Sequence, residues 1–161
     1  MDPLQKKILG STNLQVTRMG LGCAALGGLY GEIPDEQAYA VVQQALDLGI
    51  NLFDTAPLYG SGRSEQRVGQ VLSQVPRDSF VLCTKVGRVL DPVEPGDRDR
   101  GQDIFENPPP FKPVFDFSHD GVMRSFDESL QRLQLDRIDV LHIHDPDDHY
   151  DDAIRGAYPA I

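Results

Sequence analysis

Cysteine, positive charge and long apolar runs are all scarce in this chain, and each shortage removes a class of protein. Two cysteines, Cys23 and Cys83, occur among 161 residues. Both sit in apolar, strand-like runs and make no metal-binding spacing, which fits a reducing compartment, so the expected location is the cytoplasm. Lysine and arginine number 15 against 25 aspartates and glutamates, a formal net charge of −10. Nucleic acid and anionic membranes both require a basic surface, so neither is an expected partner, and a small molecule is. No run approaches a membrane span, and the opening MDPLQKKILG lacks the apolar h-region of an export signal. What is present, 40% hydrophobic and 25% charged residues, suits the core of one ordinary domain.

The apolar residues alternate between strand and helix patterns. TRMGLGCAAL is a short apolar run, and DEQAYAVVQQALDLG then sets Ala38, Val41, Val42, Ala45 and Leu46 at helical spacing, with Asp35 placed to cap and Gly49 to end the helix. INLFDTA is followed by SEQRVGQVLSQV, where Val68, Val71, Leu72 and Val75 form one stripe that Pro76 stops. SFVLCTKV leads, after a long interruption, to SHDGVMRSFDESLQRLQL with Val122, Phe126, Leu130 and Leu133 on one face. DRIDVLHIHD is a fourth strand, and DDHYDDAIRGAYPAI begins a fourth helix. Repeated strand-then-helix units imply parallel strands, right-handed crossovers and helices outside. Residues 87–118, rich in Pro, Gly and Asp, are expected to form a long loop serving as a lid or specificity element.

Two architectures share this alternation. Gly20, Gly22 and Ala25 match G-x-G-x-x-A, the dinucleotide loop of a doubly wound sheet. That loop must open directly into a helix, whereas Gly27, Gly28, Gly31 and Pro34 intervene here. The polar residues favour a TIM (β/α)8 barrel. Asp54, Lys85 and His144 each stand where an apolar run stops, which puts them on the C-terminal rim where barrel enzymes do chemistry. Side chains alternate along a strand, so Leu52 shares a face with Asp54, Val81 and Cys83 with Lys85, and Val140 with His144. Adjacent strands about 4.8 Å apart allow Asp54 and Lys85 to pair. The turn in NLFDTAPLYG then carries Tyr59 over them.

This set has a chemical use. A free phenol holds its proton to about pH 10, and a neighbouring ammonium favours the phenolate. Lys85 is placed to act on Tyr59 in that way, Asp54 to hold Lys85, and His144 to hydrogen-bond a substrate oxygen. Such a group suits proton transfer to or from a carbonyl or alcohol oxygen. No side chain supplies a hydride, so a nicotinamide cofactor is the expected source. His142 lies one layer deeper on the face of His144, and HIHD also reads as a metal pair with Asp145, as in metal-dependent hydrolase barrels. Such sites need ligands from other strands, and His119 and His149 end none, so no metal and a hydrogen-bonded interior His142 are expected. DPDDHYDD lacks the calcium-loop spacing and reads as a helix start that favours acids.

These segments resemble the aldo-keto reductases. GINLFDTAPLYGSGRSEQRVGQVL is similar to the first signature of that family, VLCTKVG to its lysine strand, SLQRLQLDRIDVLHIHDPD to its histidine strand and MGLGCAALGG to its first strand, in order over nearly the whole chain. The resemblance implies a catalytic tetrad of Asp54, Tyr59, Lys85 and His144 with Tyr59 as proton donor or acceptor, and NAD or NADP as cofactor with Asp54 beside it. The long loop, VFDFSHDGVMRSFDESLQRL and HIHDPDDH look most like the aldose 1-dehydrogenase branch, whose members oxidise L-fucose or related aldoses at the anomeric carbon to a lactone. A pyridoxal dehydrogenase shares that branch.

A complete barrel needs about 250 residues. Residues 1–161 are therefore expected to form the N-terminal half of one, with the first four βα units, while most of the dinucleotide site lies on later strands. Open strand edges and an apolar concave face should drive association, with the missing C-terminal half or with a second copy. The isolated chain is expected to be weakly active or inactive. The alternative is a non-catalytic half-barrel module that serves association alone.

Overall fold

Strand pairing in this computed structural model, which describes residues 2–94 and 104–161, follows chain order. The chain opens with a hairpin, β1 (Lys6–Ile8) against β2 (Gln15–Thr17), before β3 (Leu21–Gly22), α1 (Asp35–Asp47), β4 (Leu52–Asp54), α2 (Arg63–Leu72) and β5 (Val81–Val86). A second hairpin follows, β6 (Arg88–Pro92) and β7 (Phe111–Phe115), then α3 (His119–Leu133) and β8 (Val140–Ile143). The chain finishes in α4 (Tyr150–Asp152), a π turn over Ala153–Ala157 and α5 (Tyr158–Ala160).

The main sheet has the order β3-β4-β5-β8, every neighbour parallel. Order in space follows order in sequence, without the reversal that defines a doubly wound sheet. The Gly20–Gly22 loop opens into a 3-10 turn over Ala24–Gly27 instead of a helix, so the dinucleotide-loop match carries no dinucleotide fold.

Alternation along the strands sorts the two faces. Phe53, Leu82, Thr84 and Val86 are buried toward the helices. Phe53 and Leu82 meet Ala38, Val42 and Ala45 of α1, Val68, Val71 and Leu72 of α2, and Leu133 of α3. Val86 meets Val122 and the terminal Ala153 and Ala157 in a second cluster. Leu52, Asp54, Lys85 and Val140 are only half-buried on the other face, and His142 there is exposed.

Polar pins set the strand positions. Asn51 accepts the Thr17 amide at 2.7 Å and donates to the Gln15 carbonyl at 2.8 Å, which fastens the first hairpin beneath β4. Asp139 accepts the Leu82 amide at 2.8 Å and Arg77 at 2.7 Å, stapling the starts of β5 and β8. The fully buried Glu65 accepts the Thr84 hydroxyl at 2.6 Å and Arg132 at 2.7 Å, joining α2, β5 and α3.

Three readings need correction. Residues 87–118 hold the β6–β7 hairpin and end in Ser118, the N-cap of α3, with Leu90 paired to Pro113, so they are not one long loop; residues 95–103 lie outside the described residues. Pro34 is the N-cap of α1, and Asp35 is its first residue, with a carboxylate turned to Arg67 at 2.7 Å. Val41 is exposed because the buried stripe runs through Ala38, Val42 and Ala45. The fourth helix runs without a gap over residues 150–160, as expected, and carries a π turn over Ala153–Ala157 ahead of Pro159, a residue that cannot donate to the preceding turn.

Helices α2 and α3 pack closely at Gly69, where an added Cβ would stand 2.3 Å from the Leu133 carbonyl oxygen. Gly69→Ala should therefore destabilise the chain by about 1–3 kcal/mol, the usual range for overpacking. Gly22→Ala, where nothing lies within 4 Å, should be close to neutral. Urea midpoints at unchanged m-value compare the two; equal midpoints would rule out the close helix contact.

Candidate active site

The C-terminal ends of β4, β5 and β8 gather the polar residues. Register places Asp54 beside Cys83 and Lys85 beside His142. Lys85 Nζ donates to Asp54 Oδ1 and Oδ2 and to the Thr55 carbonyl, each at 2.9 Å. An ammonium has three N–H bonds, so its donors are matched by three acceptors and its charge is held in place.

Tyr59 comes from the turn after β4, where Gly60, Ser61 and Gly62 all adopt positive φ. Its ring centroid lies 4.8 Å from Lys85 Nζ and 5.9 Å from the His144 ring, which it meets edge-on at 89°. His144 stands one residue beyond β8, not within it, with its amide bonded to the Val86 carbonyl at 2.9 Å. The structure thus brings Asp54, Tyr59, Lys85 and His144 to one corner of the sheet.

His144 is 7% exposed, and its Nδ1 is buried with no hydrogen-bond partner among the described residues. Burial pushes its pKa from the usual 6.5 down to about 4; the positive Lys85 and Arg88 add to the effect, and Asp145 and Asp54 oppose it. At neutral pH the imidazole is uncharged, with one nitrogen to donate and one to accept.

The metal reading of HIHD fares differently. His142 lies on the open inner face, exposed instead of enclosed, and its ring nitrogen, a carboxylate oxygen of Asp54 and the Cys83 sulfur lie within 4.8 Å of one another. His144 and Asp145 belong to no such group among the described residues. Both Asp54 oxygens already hold Lys85. Burial, and then Asp54, push the Cys83 thiol up to about 11, so it is protonated at neutral pH. A metal would have to displace an ammonium and strip a proton from that thiol.

Two neighbours of Tyr59 escaped the sequence reading. Phe105 lies 6.3 Å from its ring, centroid to centroid, and Arg63 reaches from the start of α2 to the carbonyls of Glu106 and Asn107. Phe105 sits in a proline-rich stretch with no periodicity, so only a pairing with a distant residue reveals it.

Comparison with known proteins gives a consistent result. The model of the Aldo/keto reductase family matches residues 18–160. D-threo-aldose 1-dehydrogenase of Pseudomonas sp is 43% identical over 155 residues, 94% of this chain and 47% of that protein. Pyridoxal 4-dehydrogenase of Microbacterium luteolum is 44% identical over 151 residues, 88% of this chain and 43% of that protein. Among solved structures, the glycerol dehydrogenase of Gluconobacter oxydans superposes with a TM-score of 0.69 at 30% identity, covering 94% of this chain and 43% of that one. The chain spans about half the length of the curated relatives it matches.

The lowered His144 pKa fixes a pH dependence. The folded chain binds fewer protons at this site than the unfolded chain between pH 6.5 and about 4, so the stability it contributes is complete above pH 6.5 and is lost as pH falls toward 4. The loss should be on the order of 2–3 kcal/mol. Denaturation at stepped pH should show it, and His144→Gln should flatten that part of the profile; an unchanged slope in the variant would remove His144 as its source.

Proposed function

Because the chain belongs to the aldo/keto reductase family, we propose that it carries the catalytic corner of a nicotinamide-dependent oxidoreductase, with Asp54, Tyr59, Lys85 and His144 as its working residues. The observation that carries this reading is the Lys85 ammonium, held by Asp54 through both carboxylate oxygens and lying 4.8 Å from the centre of the Tyr59 ring. A fixed positive charge at that distance stabilises negative charge on the phenol as its proton moves.

The residues fit the reactive end of the cofactor. A Cβ built on Gly22, the register partner of Asp54, meets nothing within 4 Å, so that side of Asp54 is open to a ligand. The pyrophosphate fits less well: Lys85 is the cation among the inner-facing strand residues, and Asp54 already holds it. Counter-charge for the phosphates has to come from outside these strands. NAD or NADP bound beside Asp54 would supply or accept the hydride, the chemistry that no side chain provides.

In the oxidation of an alcohol, Tyr59 receives the hydroxyl proton through its phenolic oxygen; in the reverse direction it returns a proton to the carbonyl oxygen. Lys85 steadies the charge that appears on the phenol, and Asp54 keeps Lys85 oriented. Neutral His144 donates one N–H to the reacting oxygen. Of possible substrates, an aldose such as L-fucose or D-arabinose, oxidised at C1 to the lactone, is favoured by similarity to the D-threo-aldose 1-dehydrogenase, with pyridoxal next. Two buried free cysteines suit a cytoplasmic protein.

The sheet supports a half-barrel reading of residues 1–161. Strands β3 and β8 are its edges, the helices cover one face, and Asp54 and Lys85 on the other are half-open to water. Completion of a (β/α)8 barrel by the remaining length of the relatives, or by a second copy, would cover both edges. Association without catalysis, the second reading, has the same open edges in its favour.

Two outcomes are expected. Light scattering of the 161-residue chain should report a dimer or larger species; a stable monomer that binds no apolar dye would remove the association. In an assembly that supplies the rest of the relatives' length, Tyr59→Phe should lower nicotinamide-linked aldose oxidation by about 10²-fold or more, and Lys85→Met should also slow it. Retention of rate with Phe at position 59, together with loss on adding a chelator or on His142→Asn, would replace this reading with a metal-dependent one.

A further inference from the structure

Tyr59 precedes three consecutive positive-φ residues, and its main chain is fixed by bonds from its amide to the Ala56 carbonyl and from the Ser64 amide to its own carbonyl, each at 3.1 Å, which leaves the position of the ring to whatever packs against it. Two layers of chain are packed against that turn. Gly27 lies directly on it: a Cβ there would stand 2.6 Å from the Tyr59 carbonyl carbon, and one on Gly60 would stand 2.2 Å from the Gly27 oxygen. Over Gly28 and Leu29 runs the returning limb of the β6–β7 insertion. Leu29 pairs with Phe105 in an antiparallel bridge, and the Glu106 amide donates to the Gly28 carbonyl at 3.1 Å. Arg63 then closes the layer, donating through Nη1 to the Glu106 carbonyl at 3.0 Å and through Nη2 to the Asn107 carbonyl. Asn107, at positive φ, donates to Glu32 at 3.4 Å.

We propose that residues 105–107 form a strap that fixes the Tyr59 ring, with Phe105 as the positioning residue and Arg63 as the latch. The inference rests on the proposed role of Tyr59 in proton transfer. Lys85, His144 and Phe105 all lie within ring-contact range of the phenol, and Phe105 alone of the three carries no proton to exchange. Phe105 is 5% exposed, so it acts on a substrate only through Tyr59. A catalytic group has to be held within about 0.5 Å of its working position, which for a ring takes side-chain packing as well as a fixed main chain. Arg63 acts on the strap through its main chain: it bonds the carbonyls on either side of the Asn107 Cα, so its loss loosens the strap while leaving the Phe105 side chain whole.

The ring can be watched directly, because the chain has five tyrosines and no tryptophan. In NMR spectra of the 161-residue chain labelled in its tyrosine rings, with the Tyr59 signals assigned by Tyr59→Phe, slow ring flips should leave the two edges of Tyr59 distinct. Phe105→Ala and Arg63→Ala should each average them, while Phe105→Tyr and Arg63→Lys should restore the separation wholly or in part. If Phe105→Ala does not fold, Arg63→Ala decides the matter. In the assembled enzyme the same two alanine variants should lower kcat by roughly ten- to a hundredfold with KM changed far less. Distinct edges that persist in Arg63→Ala would overturn the strap. Averaged edges with kcat unchanged would overturn the positioning role; if Tyr59→Phe is also silent, the catalytic reading of Tyr59 falls with it, whereas a silent strap beside a damaging Tyr59→Phe leaves that reading intact.

Discussion

Glu65 is completely enclosed, and each of its carboxylate oxygens is taken, one by the Thr84 hydroxyl and the other by the Arg132 guanidinium. A buried carboxylate costs several kcal/mol in lost hydration unless it is paired and hydrogen-bonded, so its partners have little freedom to move. Those partners lie on β5 and α3, while Glu65 itself belongs to α2. Three elements are therefore locked by one charge, and the residue after Thr84 is Lys85. Arg67, two residues on, repeats the device on the other side of α2, tying the Leu26 and Ile33 carbonyls and Asp35 to that helix.

The two faces of β5 divide the labour that follows. Leu82, Thr84 and Val86 point to the helices and carry packing; Cys83 and Lys85 point the other way. At the rim, Lys85 is surrounded by three acceptors, whereas His144 is buried and burial disfavours its cation. A fixed positive charge and a neutral hydrogen-bonding ring, set on either side of one phenol, is an arrangement that neither a wholly buried nor a wholly solvated rim provides.

Much of this was legible in the sequence where a periodic pattern met a burial requirement. The stripe of Val68, Val71 and Leu72 and the run from Val81 to Val86 read directly as α2 and β5, and with them the places of Asp54 and Lys85. The first hairpin was not legible: Lys6, Lys7 and Ile8 are all exposed, so no apolar alternation marks them. The second was hidden by Pro92 and Pro113, residues that argue against a strand unless it lies at an edge, and β6 and β7 form a separate two-stranded sheet. Asp35 resembled a cap because it opens an apolar helical pattern, but its carboxylate is drawn to Arg67, a contact set by the tertiary fold. The strap against Tyr59 depends on a bridge between Leu29 and Phe105, and nothing local to either residue announces it.

The two ends of the β6–β7 insertion meet at its base, where the Asp116 amide donates to the Gly87 carbonyl at 3.0 Å. Whatever lies between them begins and finishes at the same point, between β5 and α3. Lengthening a closed excursion of this kind costs only about 0.6 kcal/mol for each doubling, and neither Lys85 nor His144 has to shift to admit it. Length can thus be added to or taken from the insertion outside residues 105–107 at little thermodynamic cost, while the Leu29–Phe105 bridge, the Arg63 contacts and the rim beneath keep their places.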